Sequence, residues 1–223
     1  MPNRKLFAEF IGTFAIVFCG TGAIVIDEQT HGLVSHIGVA ITFGLIVMVM
    51  IYAFGETSGA HFNPAVTLGF AVANQFDKKL VLPFIFSQIA GAFLATMVLK
   101  FLFPGNVNLG STIPAGSQLQ SFVLEFFLTY LLLLVIFQVS SGSKEKGILA
   151  GMAIGAMVGL EALFAGPICG ASMNPARSLA PAIVSGNIES LWIYIVAPTS
   201  GAIASALTMI RINEMKKKEK KSY

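Results

Sequence analysis

Six stretches of this chain, at residues 6–26, 37–54, 81–103, 119–139, 147–165 and 191–210, are apolar runs close to the ~20 residues that a helix needs to cross a bilayer. Lipid offers no partner for a free backbone N–H or C=O, so such runs must be helices unless they close into a barrel. The alternating strands of a barrel are absent. The first run is too long for a cleaved signal, carries Glu9 and is not closed by a small-residue cleavage pattern. Composition agrees: of 223 residues 55% are hydrophobic and 11% charged, where soluble domains carry about 25% charged residues. The bilayer is the natural solvent for such a chain.

The charges orient it. Arg4 and Lys5 precede the first span, Lys78 and Lys79 the third, Lys144 and Lys146 the fifth. Arg211, Lys216, Lys217, Lys218, Lys220 and Lys221 follow the sixth. All of these fall on one side if both termini are cytoplasmic; Lys100 sits near the outer end of a span. The basic tail reads as a topology anchor beside anionic lipid, and nothing else basic or aromatic supports binding to nucleic acid. Cys19 and Cys169 lack metal spacing and do not indicate a disulfide; His31, His36 and His61 form no metal pattern. No metal, no cofactor and no nucleophile–base pair is expected, so the chain is not read as an enzyme.

The chain also repeats itself. AEFIGTF in the first span matches LEFFLTY in the fourth, and SGAHFNPAV at 58–66 matches CGASMNPAR at 169–177. Glu9 to Asn63 is 54 residues and Glu125 to Asn174 is 49. Each half holds three spans, an odd number, so the second half must enter the membrane from the opposite side. Inverted repeats of this kind place a site at the midplane. The expected organisation is one channel domain over 1–223, with repeats at about 1–110 and 111–210 and a basic tail at 211–223.

After each Asn-Pro-Ala lies a short apolar segment, Pro64 to about Ala73 and Pro175 to about Val184. At ~1.5 Å per residue, ten residues reach half way across a bilayer. Asn favours the cap of a helix and Pro its first position. Asn63-Pro64-Ala65 and Asn174-Pro175-Ala176 therefore read as two helix starts facing each other at mid-membrane, where irregular backbone is tolerated only if protein buries it or water lines it. A pore between them follows. Gly151, Gly155 and Gly159 form a small-residue stripe suited to close helix contact.

These motifs, extended to SGAHFNPAVTLG at 58–69 and GASMNPARSLAPA at 170–182, resemble the aquaporins and aquaglyceroporins, the major intrinsic proteins. The resemblance covers the whole chain. It implies an all-α membrane fold of six transmembrane helices plus two re-entrant half-helices, a homotetramer with one pore per subunit, and a place in the plasma membrane. The side-chain amides of Asn63 and Asn174 then donate to passing oxygens, while each half-helix start adds about half a positive charge. That breaks a continuous hydrogen-bonded file and repels cations and protons, but not neutral solutes.

The resemblance also puts the outer constriction at Phe43, Ala162, Ala171 and Arg177. Arg177, in an apolar setting, is a functional candidate on charge alone. Water channels of the family carry histidine where this chain has Ala162, and glycerol channels carry aspartate where it has Ser178. The pattern points to the bacterial nodulin-26-like branch and to water plus small uncharged solutes such as glycerol. A strict water channel, or one mainly for metalloid acids, is the alternative. Glu9 and Glu125 match positions that brace the loops carrying the half-helices, and Glu161 is read as a brace for the loop 164–173.

Overall fold

The computed structural model describes residues 2–140 and 144–219, so Lys220 and Lys221 of the basic tail lie outside the described residues. Eight α-helices follow in order: α1 Pro2–Gln29, α2 Ser35–Ser58, α3 Pro64–Val72, α4 Val81–Leu102, α5 Gln118–Ser140, α6 Lys144–Cys169, α7 Pro175–Ser185 and α8 Leu191–Glu219. Among the described residues there is no strand. Six of the helices are long and apolar enough to cross a membrane. An even number of spans puts both termini at the same face. α3 and α7 have 9 and 11 residues, so each crosses only about half of a ~30 Å hydrocarbon layer.

The inversion is visible in matched contacts. α1 packs on α4, and α5 on α8. A methyl group on Gly91 of α4 would sit 2.3 Å from the Phe10 carbonyl, and one on Gly201 of α8 would sit 2.2 Å from the Phe126 carbonyl. Only glycine lets these backbones approach so closely. α2 and α6 cross where Gly44 and Gly155 face each other: a methyl on either would lie within 2.7 Å of the other's carbonyl oxygen. Gly44 lies 19 residues before Asn63 and Gly155 lies 19 before Asn174, so the two halves meet at equivalent positions. The glycine stripe of α6 therefore serves an internal contact: Gly151 lies against Tyr52, Gly155 against Met48 and Gly44, and Gly159 against Ala40 and Gly44.

Outside, α2 shows Ile37, Ile41, Leu45, Val49 and Tyr52, and α6 shows Met152, Leu160, Leu163 and Phe164. Such an apolar exterior suits lipid or another apolar surface rather than water. Cys19 and Cys169 are both free thiols.

Candidate pore and its constriction

Each half-helix begins at its Asn. Asn63 is extended, with φ −156°, and its side-chain oxygen accepts from Ala65 N at 2.8 Å. Asn174 accepts from Ala176 N at 3.0 Å and Arg177 N at 3.4 Å. Pro64 and Pro175 occupy first helical positions, where no N–H is needed. The amide nitrogens then cross the midplane. Asn63 Nδ2 donates to Met173 O at 2.7 Å, and Asn174 Nδ2 donates to Phe62 O at 2.9 Å. An amide nitrogen carries two hydrogens, so each Asn keeps one beyond this exchange, and both residues line the cavity described below.

The loops leading to these caps are bent in matched ways. Ala60 and Phe62 have φ of 51° and 50°, and Ala171 and Met173 have φ of 40° and 53°. Left-handed backbone at non-glycine residues costs on the order of 1–3 kcal/mol each and persists only where the surroundings hold it. Buried carboxylates do that. Glu9 accepts from His61 N at 3.0 Å, Phe62 N at 2.7 Å, Ser58 Oγ at 2.7 Å and Gln88 Nε2 at 2.8 Å. Glu125 accepts from Ser172 N at 2.7 Å and Met173 N at 2.8 Å.

Glu161 differs from its sequence reading. α6 stays helical to Cys169, so the expected loop at 164–173 is shortened to the few residues after it. Glu161 is 1% exposed, and neither carboxyl oxygen has a hydrogen-bond partner among the described residues. It braces nothing through a hydrogen bond. As one step of ~100° along the helix requires, it faces away from the cavity that Ala162 lines.

That cavity, of about 890 Å³, runs between the helices past both Asn residues. Towards the face bearing the termini it is lined by Glu56, Thr57 and Ser140. Past the midplane it is lined by Phe43, Ala162, Ala171 and Arg177, which the structure brings together. Arg177 is buried; its Nη1 donates to Gly110 O at 2.7 Å, and its guanidinium carbon lies 5.2 Å from the Phe43 ring centroid. A buried cation held by one carbonyl and one aromatic face leaves donors for a solute. Nε is not one of them: it is buried away from the cavity and has no partner among the described residues.

Further side chains hold this arrangement, and no spacing pattern singled them out. Gln88 Nε2 also donates to Thr67 Oγ1, which is paired with His61 Nδ1. Ser172, Ser178 and Thr112 form a buried hydroxyl chain beneath the outer loop. Tyr194 donates from its hydroxyl to Cys169 O at 2.7 Å. Buried polar side chains at helical spacing are the signal that could have found Gln88 and Thr67.

The family model described as Major intrinsic protein matches residues 2–209. The chain belongs to this family. Rice (Oryza sativa subsp. japonica) Aquaporin NIP1-1 is 48% identical over 204 residues, covering 91% of this chain and 72% of that protein. Nodulin-26 of Glycine max is 43% identical over 204 residues, covering 91% and 75%. The X-ray structure of the aquaglyceroporin from Plasmodium falciparum matches with a TM-score of 0.85 at 28% identity, over 95% of this chain and 97% of that one. The aquaporin fold and the multi-pass membrane placement follow, and a channel rather than an enzyme. The bacterial attribution is corrected: these nodulin-26-like relatives are plant proteins.

Proposed function

We propose that this aquaporin-family chain is a passive channel for water and small uncharged solutes such as glycerol, and that it excludes ions and protons. The observation that carries the reading is the pair of crossed Asn caps, Asn63 and Asn174, on one continuous cavity. Each cap points half-helix N–H groups and an amide donor at the midplane, where a solute oxygen is accepted and a cation is not. Phe43, Ala162, Ala171 and Arg177 are the selectivity ring. Two alanines beside the arginine leave room for a polyol, which favours solutes larger than water. The named relatives include an aquaglyceroporin and nodulin-26-like aquaporins.

Glu9 and Glu125 are the loop braces. The chain works as one channel domain of two repeats, about 1–110 and 111–210. On this reading it works in the plasma membrane as a homotetramer, and the one-sided Lys and Arg distribution supports cytoplasmic termini. The test is stopped-flow light scattering on proteoliposomes with water, glycerol and urea gradients. Fast, non-saturating shrinkage with a low activation energy is expected. Steep saturation coupled to an ion would mean an alternating-access transporter instead.

A further inference from the structure

In an α-helix each N–H donates to the carbonyl four residues earlier. Pro167 lies inside α6 and has no N–H, so the Leu163 carbonyl lacks the donor four residues on that a regular helix supplies. The donor comes from another helix. His36 Nε2, on the first turn of α2, lies 2.8 Å from Leu163 O. A carbonyl only accepts, so the imidazole carries a hydrogen on Nε2. The ring also lies flush against α6: a methyl on Gly166 would be 2.9 Å from His36 Cε1. Seven residues before Asn63, the matching position in α2 is Glu56, which keeps its N–H. The freed carbonyl thus belongs to the second half alone, on the side of the constriction.

Both bonded helices carry constriction residues. Ala162 directly precedes Leu163, and Phe43 lies seven residues, about two turns, beyond His36. We propose that His36 is a positioning residue for solute selection: its bond to the carbonyl left free by Pro167 clamps α2 to α6 and sets the gap between Phe43 and Ala162. This rests on the reading of the chain as a neutral-solute channel.

The experiment measures the ratio of glycerol to water permeability in proteoliposomes, normalised to folded channel. His36→Ala loosens the ring and raises the ratio about threefold or more, a barrier difference of ~0.6 kcal/mol or above. His36→Gln, which keeps a donor on a side chain of similar reach, restores the wild-type ratio. Pro167→Ala supplies an intrahelical donor to Leu163, and in that background His36→Ala adds no further change. The proposal is overturned if His36→Ala leaves the ratio unchanged or lowers both permeabilities in parallel. It is also overturned if His36→Ala raises the ratio equally in both backgrounds, or if His36→Gln behaves like His36→Ala. If the wild type passes neither water nor glycerol, the channel reading itself fails; conduction with an unmoved ratio sinks only the clamp.

Discussion

In the first half of the chain, Glu9 gathers two backbone N–H groups, the Ser58 hydroxyl and the Gln88 amide around one carboxylate. In the second half, Glu125 takes the two equivalent backbone N–H groups, but Cys169 stands where Ser58 does and Pro198 stands where Gln88 does. The Cys169 thiol is a weaker donor than a hydroxyl and divides between Ala165 O, at 3.5 Å, and the Glu125 carboxyl, and Pro198 has no amide to offer. What both halves keep is the set of contacts that shapes the loops: the Asn cap, the crossed amide and the carboxylate on the backbone. What differs is what faces the solute. Val66 follows the first Asn-Pro-Ala, and Arg177 follows the second. The repeat thus supplies a symmetric frame, and one half of it has been specialised.

Substituting methionine at each glutamate separates frame from filler. Glu9→Met removes the acceptor from four donors and should destabilise the most, on the order of 4 kcal/mol. Glu125→Met should cost on the order of 2 kcal/mol for its two backbone donors. Thermal unfolding in detergent gives the order; equal losses would mean that Gln88 and Ser58 add nothing to the first brace.

Arg177→Val copies the first half's residue into the second. Cation conductance in planar bilayers should rise about tenfold, as a barrier lowered by ~1.4 kcal/mol gives. Conductance no higher than wild type would place cation exclusion wholly at the crossed Asn caps. Ala162→His together with Ala171→Cys narrows the same ring from two sides. Glycerol entry should fall about tenfold while water changes by less than about twofold, the two solutes differing by one such barrier step. A wild type that already excludes glycerol would show that Arg177 and Phe43 suffice for a narrow filter.

The frame was legible from the sequence because its signals are long and doubled. The half-helices at Pro64–Val72 and Pro175–Ser185 end within one residue of where Asn-Pro starts and apolar length put them. The repeat of Glu9 and Glu125 at similar distances from the Asn residues exposed them as a pair. The contacts behind the ring were hidden, because they join single residues far apart in the chain. Gln88 reaches Glu9 across 79 positions, and His36 reaches Leu163 across 127. Glu161 misled for the opposite reason. A charge inside a span invites a role, and the expected loop at 164–173 lies only a few residues further on. Yet α6 runs helical past Pro167 to Cys169, and the carboxyl is turned towards no donor.

Glu161 therefore gives the smallest expected effect and the cleanest contrast with the two braces. Glu9 and Glu125 are buried with hydrogen-bond partners; Glu161 is equally buried with none among the described residues. A polar group buried without a hydrogen bond opposes folding, and an apolar side chain of similar shape removes that penalty. Glu161→Met should leave water permeability within about twofold of wild type and thermal stability unchanged or raised by ~1 kcal/mol. Loss of stability comparable to that of Glu125→Met would mean that the carboxyl binds an internal water that in turn reaches the backbone. Glu161 would then be a third brace acting at one remove, and the second half would match the first more closely than its direct hydrogen bonds show.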